Sequence, residues 1–520
     1  MGARGHCSGK AARMNAPVRR RHVFVWSAVF GYGSLAFTLA RNVLLVPVYL
    51  NHIALAEYGA WLATGGALAQ LLVADFGLSG VLTQRVASQS GAGAAGLRSL
   101  MGAGLANSLA LALALGAASS LIAAWLPATQ GLDAAQRARV MDCFFIAVGA
   151  NSLGVLSLAG IAALRGGQKP GLAGAVMLGA DILSVTVTLV CLFARLGLYA
   201  IALGLLVRSA CVALGSLSSV LLTWRGALRD WRPNWLDSLA MWRDTARFFV
   251  TSIAMRLQSQ ANILFVGMLL GPHWAAVYGL TVRAHETVHM FMGQLNASFG
   301  PVLAHLAGAG QGARLDAVIR SLLPLVAALA AVGAVGVLVL NQSFVTLWAG
   351  PEAFGGAALT LTMALALWVT QLSFVGYEAL LARGDFAYIA RVFAIGSVVH
   401  VITVLTALEW LGVWAAPLAL LCSSLSWGWL AWRRVAVQMR AAGAGPGAAL
   451  GEAGVIGLAG AICGALLLAF LPPATSWSML AAEAVMTALL VAAVLLIVRP
   501  GLRRTLRDEI LSTLRAMRAA

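Results

Sequence analysis

The sequence predicts an all-α polytopic membrane protein with about 14 transmembrane helices. Composition is the first reason: 61% of the 520 residues are hydrophobic and only 10% are charged, whereas a soluble globular chain carries about 25% charged residues. Apolar runs of about 20 residues are the second, because a helix of that length crosses about 30 Å of hydrocarbon. The distribution of Lys and Arg around those runs is the third.

Apolar runs separated by short polar loops define the predicted spans in order. The first run, from Val23 to about Leu50, follows a basic segment. It is too long for the apolar part of a signal peptide, and no small-residue cleavage site interrupts it. We therefore expect an uncleaved first span. The predicted spans are 23–50, 58–83, 98–125, 140–164, 171–194, 197–222, 247–270, 274–303, 321–340, 357–382, 388–408, 411–432, 451–471 and 475–498. Two pairs have very short connections, at 195–197 and 409–412.

Charge placement orients the chain. With a cytoplasmic N-terminus, 28 of the 35 Lys and Arg residues fall on inner segments, and only Arg137, Arg139 and Arg195 fall on outer loops. The remaining four lie inside spans. This bias is what the positive-inside rule expects, so both termini are predicted to be cytoplasmic. The net charge of +17 is thus explained by topology and does not indicate nucleic-acid binding.

The longest inner loop in the middle of the chain separates two predicted six-helix lobes. A faint repeat supports two related halves: Tyr58-Gly59 recurs 220 residues later as Tyr278-Gly279, and Gly80 as Gly300. Parallel repeats of this kind are related by an axis along the membrane normal, with a cavity between them. The predicted organisation is a basic cytoplasmic N-terminus at 1–22, an N-lobe at 23–223, an interlobe loop at 224–246, a C-lobe at 247–438, a linker with two further helices at 439–498, and a basic cytoplasmic tail at 499–520.

Four arginines, Arg41, Arg208, Arg256 and Arg283, fall inside predicted spans. Each would cost about 2.5–3.5 kcal/mol at the centre of a lone inserted helix. A chain that carries this load must pair the charges or place them along a hydrated passage. Ionisable residues inside membranes usually mark substrate or ion pathways, so the pattern indicates transport.

Polar residues accompany these arginines on helix faces at 100° per residue. Thr38 shares a face with Arg41, Gln260 shares one with Arg256, and Asp75 lies on a polar stripe of the second span. We predict that Arg41, Arg256, Arg283, Thr38, Asp75 and Gln260 line a central substrate-binding cavity. Arg41 and Arg256 have no acidic neighbour on their own helices, which makes them the leading candidates for ligand contact.

Other polar residues leave alternatives open. Asp181 and Arg208 come out at similar depth on adjacent spans, and we predict a structural ion pair between them. Arg283 and Glu286, spaced i, i+3, either neutralise one another or contact ligand. His285 and His289 lack a third ligand for a metal site, and a proton role for His289 or Glu286 is the favoured reading.

The sequence offers little for catalysis. It contains no Gly-rich phosphate loop and no catalytic triad spacing, its outer loops are short, and its six cysteines show no metal-ligand spacing. We therefore predict neither an enzyme nor a bound cofactor or metal. A coupling ion, H⁺ or Na⁺, stays open.

Several segments resemble the polysaccharide flippases of the multidrug/oligosaccharidyl-lipid/polysaccharide exporter superfamily. They are Arg41 to Pro47, Tyr58-Gly59-Ala60-Trp61, Ala74-Asp75-Phe76-Gly77-Leu78, Leu164-Arg165-Gly166-Gly167-Gln168-Lys169, Asn262 with Gly271-Pro272, Val277-Tyr278-Gly279-Leu280, Phe299-Gly300-Pro301, Trp348-Ala349-Gly350-Pro351 and Leu380-Leu381-Ala382-Arg383-Gly384-Asp385. The likeness covers about residues 23 to 438, and the two last spans fit the larger members.

The resemblance implies a V-shaped, two-lobed helical carrier in the bacterial inner membrane. Its cargo would be an undecaprenyl-pyrophosphate-linked oligosaccharide for lipopolysaccharide or exopolysaccharide synthesis, moved to the outer leaflet by alternating access. Membrane lipids and the polysaccharide polymerase and export machinery would be its partners. One departure matters: cation-coupled drug exporters of the superfamily carry an acidic residue in the first span, where this chain has Arg41. A multidrug exporter of the same fold and a membrane polysaccharide polymerase are the alternatives.

Overall fold

The computed structural model describes the chain in fifteen stretches. These are residues 30, 33–34, 36–38, 40–41, 43–66, 78–89, 94–123, 132–167, 169–223, 238–239, 241–242, 254, 257–258, 261–441 and 445–498. Throughout these stretches the regular secondary structure is helical. The predicted all-α class is confirmed.

Fourteen α-helices have defined bounds in the described residues. They are α1 Leu55–Trp61, α2 Leu78–Gln89, α3 Ala94–Ala123, α4 Ala134–Gly166, α5 Pro170–Phe193, α6 Tyr199–Thr223, α7 Pro272–Thr281, α8 Arg283–Gly308, α9 Gly312–Ala349, α10 Ala357–Ala382, α11 Phe386–Leu411, α12 Ala415–Ala441, α13 Gly447–Phe470 and α14 Trp477–Val498. A π-helical turn, Leu62–Gly66, follows α1. Residues 43–50 and 261–269 are also helical.

Most predicted spans coincide with single helices in the described residues, and the span 274–303 is divided between α7 and α8. Nine stretches of the described chain are long and apolar enough to cross a membrane, and one of them, Phe386–Arg440, contains both α11 and α12. The predicted spans 23–50, 58–83 and 247–270 extend over residues outside the description. The chain is a multi-pass membrane protein with a helix count compatible with about 14.

Left-handed backbone ends the helices at the two short connections. Arg195 has φ 60° and Gly197 has φ 55° between α5 and α6, and Gly412 has φ 70° after α11. A residue at positive φ stops a helix, so connections of five and three residues suffice to reverse the chain. Both closely connected pairs are therefore separate helices, as predicted.

The described helices divide into two compact units. The first comprises Met1–Ala54, Leu68–Leu126 and Asp133–Phe249, and the second comprises Leu55–Ala67, Pro127–Leu132 and Val250–Ala520. Two segments that the sequence assigned to the N-lobe, Leu55–Ala67 and Pro127–Leu132, belong to the second unit. The lobe boundaries otherwise stay a prediction.

Small residues bring the helices of the first unit close together. A Cβ atom added at Gly160 of α4 would lie 2.5 Å from Ser216 Oγ of α6, and one added at Gly204 of α6 would lie 2.0 Å from Thr188 Oγ1 of α5. Such glycines allow helix backbones to approach in lipid, where no hydrophobic force drives helices together. The α5–α6 contact fixes the polar site described below.

In the second unit, the two Tyr-Gly pairs of the sequence repeat lie on helices that pack together. Gly59 of α1 is so close to α7 that an added Cβ would lie 1.9 Å from Pro272 O. Gly279 of α7 would place its Cβ 3.0 Å from Leu62 Cδ1. The equivalent glycines thus serve equivalent close approaches.

The predicted span 274–303 is broken at Val282, which separates α7 from α8. A polar group from another helix bonds the backbone there: Asn341 Nδ2 of α9 donates to Thr281 O at 3.1 Å. The Thr281 hydroxyl in turn donates to Ala353 O at 3.0 Å. Breaks inside membranes are tolerated where protein groups satisfy the freed backbone. Arg283 begins α8 immediately after the break.

Candidate functional site

In the first unit, one buried carboxylate lies between two guanidinium groups. Arg208 Nε of α6 lies 2.5 Å from Asp181 Oδ1 of α5, and Arg41 Nη1 lies 3.8 Å from the same oxygen. The Asp181 side chain is 8% exposed, whereas Arg41 and Arg208 are 30% and 33% exposed. We call these three residues the arginine pair site.

Helix packing explains this geometry. Gly204 lies one turn before Arg208 and lets α6 approach α5, and Ser184 Oγ of α5 donates to Gly204 O at 2.8 Å. The first-span helix lies along α5 as well, since a Cβ added at Gly174 would be 2.5 Å from Phe30 Cβ. Asp181 is two turns beyond Gly174 on α5, at the position along the helix where Arg41 contacts it. Three helices therefore converge on one carboxylate.

Among the described residues, the arginine pair site carries net positive charge, and it lies near the middle of α5. Two guanidinium groups and one carboxylate sum to +1, because arginine stays protonated. Asp181 is the twelfth of the 24 residues of α5, which is the middle of a helix long enough to span the hydrocarbon. Since each arginine is about one-third exposed, nitrogen donors remain available to an anion.

The sequence-based roles of these residues need one adjustment. Asp181 and Arg208 form the predicted ion pair. Arg41 was predicted to have no acidic neighbour on its own helix, and the acidic residue that it contacts, Asp181, lies on α5. The helix bearing Arg41 offers no acidic residue, so the contact arises from α5. Thr38, one turn earlier, is half-buried. Arg256, Gln260 and Asp75 lie outside the described residues, and their cavity roles stay predictions.

In the second unit, Arg283 and Glu286 neutralise one another. Arg283 Nη1 donates to Glu286 Oε2 at 2.9 Å, and Glu286 is the more exposed partner at 45%. The pair spans the first turn of α8. Of the two readings the sequence left open, the described geometry shows the ion pair; ligand contact by Arg283 stays a prediction.

A polar chain that the sequence did not reveal lies on the other face of α8. Gln371 of α10 donates from Nε2 to His289 Nδ1 at 2.9 Å and accepts at Oε1 from Asn296 Nδ2, also at 2.9 Å. His285 stacks on His289 with ring centroids 6.1 Å apart. Gln371 is fully buried. Because Gln371 donates to Nδ1, a neutral His289 carries its proton on Nε2.

Gln371 was missed because a single amide in an apolar span gives no periodic signal. Its significance depends on α8 and α10 packing together, which only the fold shows. Within the described stretches, no group of three or more His, Cys, Asp or Glu side chains is placed to hold a metal ion.

Comparison with known proteins shows which fold this is. No family model matches the chain, and no curated protein matches it in sequence. Among solved structures, the lipid II flippase MurJ in an inward closed conformation aligns with a TM-score of 0.65 at 12% identity, covering 91% of this chain and 100% of MurJ. An inward-facing multidrug resistance MATE family transporter of the MOP superfamily aligns with a TM-score of 0.57 at 15% identity, covering 84% and 100% of the two chains.

The Vibrio cholerae MATE transporter VcmN, as a mutant, aligns with a TM-score of 0.56 at 14% identity, covering 82% of this chain and 98% of VcmN. The chain is therefore a polytopic helical membrane protein with the fold found in these transporters. More narrowly, it shares that fold with one structure described as a lipid flippase and with several described as MATE transporters.

Proposed function

We propose that the protein is a membrane transporter that flips an undecaprenyl-pyrophosphate-linked oligosaccharide from the cytoplasmic to the outer leaflet by alternating access. The product would feed lipopolysaccharide or exopolysaccharide synthesis. Similarity to a lipid II flippase across 91% of the chain supports the class of activity. The arginine pair site supports the chemical class of the headgroup.

The proposal depends mainly on one observation: Arg41 and Arg208 share the single carboxylate of Asp181. A site with one carboxylate for each arginine would be neutral and would have no reason to attract an anion. Here the surplus positive charge is half-buried at mid-depth, where the low dielectric strengthens attraction. Guanidinium groups bind phosphate oxygens in bidentate fashion, so a diphosphate is the fitting ligand.

The rest of the scheme follows as part of this proposal. The protein works in the bacterial inner membrane with both termini in the cytoplasm, it contacts membrane lipids, and it delivers its cargo to the polysaccharide polymerase and export machinery. Glu286 and His289 are the proposed participants in coupling to H⁺ or Na⁺. Glu286 is exposed and His289 belongs to the Gln371 chain, so they offer a surface group and a buried one.

Depletion in the native cell tests this function. Lipid-linked oligosaccharides should accumulate on the inner leaflet. Export should be restored by the wild-type protein and by the Arg314→Leu variant, which changes an exposed arginine at the start of α9. Arg41→Leu should not restore export at equal protein level. Unpolymerised units on the outer leaflet after depletion would instead identify a polymerase and contradict the proposal.

A multidrug exporter is the second candidate, favoured by the MATE alignments. Cationic amphipathic drugs would be repelled by the net charge of the arginine pair site. Efflux of such a dye that depends on Arg41 would favour this second function over the first.

A further inference from the structure

Helix α14, the last that the structure describes, carries one ionisable side chain, Glu483, which points inward. Glu483 is 6% exposed and Thr487, one turn later, is 1% exposed. They continue a stripe that includes the buried Val491 and Leu495 of the second unit's core. Residues four apart share a helix face, so both polar side chains face the protein and not the lipid.

Both side chains have a buried oxygen without a hydrogen-bond partner in the described part of the chain. These oxygens are Glu483 Oε1 and Thr487 Oγ1. Elsewhere in this protein a threonine inside a helix donates to the carbonyl four residues earlier, as Thr406 does to Ile402 O at 2.8 Å. Leaving a buried polar group unsatisfied costs about 1–3 kcal/mol. Two such groups one turn apart indicate a ligand that the protein atoms alone do not supply.

The helices packed on α14 offer no nearby cation. On α9 the charged residues are Arg314, Asp316 and Arg320, all near its beginning. Phe344 near the other end of α9 contacts Trp477 at the start of α14. At 1.5 Å per residue, Glu483 is then about 27 Å in depth from Arg320.

Helix α13 contributes two titratable residues, Glu452 and Cys463. Glu452 lies near the opposite end of the bilayer from the α13–α14 turn, about 18 Å in depth from Glu483. Cys463 is buried at about the depth of Glu483. A thiol supplies no positive charge, so neither α9 nor α13 compensates an ionised Glu483.

We propose that Glu483 and Thr487 form a binding site for a monovalent cation, a proton or Na⁺. The carboxylate can bind either a proton or Na⁺, and the hydroxyl oxygen one turn away can serve as a second oxygen ligand for Na⁺. An ionisable group inside the membrane that lacks a protein partner marks an ion pathway. The ion's role in driving transport rests on the proposed function, whereas its binding does not.

The test measures ion linkage to stability in the purified full-length protein in detergent. Thermal unfolding is followed from pH 5 to pH 9 and in NaCl against choline chloride, for the wild type and for Glu483→Gln. An ion that binds only the folded state raises the unfolding temperature by mass action. Na⁺ or a lower pH should raise the unfolding temperature of the wild type more than that of Glu483→Gln. This variant removes the ionisable carboxyl with little change in shape.

The two ions are separated by Thr487→Val, which removes only the hydroxyl. A sodium site should lose at least part of its Na⁺ response in this variant, whereas a proton site should keep its pH response. If the unfolding temperatures of the wild type and Glu483→Gln change equally with pH and with NaCl, the proposal is overturned.

If Glu483→Gln gives no folded protein, Glu483→Met takes its place, because it removes the carboxyl and keeps the length of the side chain without a buried polar group. A response to Na⁺ or to pH that is unchanged in Glu483→Met would also overturn the proposal. The assay requires no transport, so failure of the ion site and failure of the proposed flipping are independent results.

Discussion

Replacing Asp181 by leucine should destabilise the protein more than replacing Arg208, because Asp181 serves two arginines. Removing one partner of a buried ion pair costs about 3–5 kcal/mol, and a hydrogen bond to a charged group contributes about 1.5–3 kcal/mol. Since Arg208 is 33% exposed, water screens the pair, and the range of about 1.5–3 kcal/mol for a charged hydrogen bond applies. We expect a loss of about 3 kcal/mol for Asp181→Leu and about 2 kcal/mol for Arg208→Leu, in which Arg41 still compensates Asp181.

The assay is a double-mutant cycle on the unfolding of purified protein in mixed micelles. The double variant should be less destabilised than the two single losses combined, because each single replacement already removes the contact between Asp181 and Arg208, which the sum of the two losses counts twice. A coupling of about 2 kcal/mol is expected for groups in direct contact. Additive losses, or an Arg208→Leu variant that is less stable than Asp181→Leu, would refute the reasoning.

Three further predictions concern packing, the polar chain and topology. Gly59→Ala should destabilise by about 1–3 kcal/mol through overpacking, whereas Gly293→Ala, whose added Cβ meets nothing within 4 Å, should not lower the melting temperature; equal melting temperatures would contradict this. Gln371→Leu removes the hydrogen-bond partner of the buried Asn296 and the half-buried His289 and should cost about 1–3 kcal/mol for the buried amide, measured by thermal unfolding; a melting temperature equal to the wild type's would contradict the polar chain. Cysteines placed at Arg137 and Arg314 should react with an impermeant thiol reagent from the outside and the inside respectively, and reversed labelling would invert the topology.

Sequence reasoning located the helices well because the bilayer imposes one length on them. Runs of about 20 apolar residues have few other uses, and the turn after α11 was placed within about three residues of its position. The pairing of Asp181 with Arg208 followed from similar depth on consecutive helices, which needs no knowledge of the tertiary fold.

Features that depend on which helices are neighbours were not predicted. The contact of Arg41 with Asp181 requires that the first-span helix lie along α5. The break at Val282 depends on Asn341, sixty residues away along the chain. Glu483 received no role, although a lone acidic residue with a threonine one turn later in the last span was a usable signal.

The most direct test of the central claim is flipping in proteoliposomes. The wild type should translocate a fluorescent polyprenyl-diphosphate oligosaccharide, scored by its exposure to an impermeant quencher, and should move the monophosphate analogue less well. Losing one charged hydrogen bond corresponds to about a tenfold to hundredfold loss, so Arg41→Leu should flip the diphosphate at most at one-tenth of the wild-type rate, while Arg314→Leu should match the wild type. Equal rates for Arg41→Leu and wild type in folded protein would contradict the account.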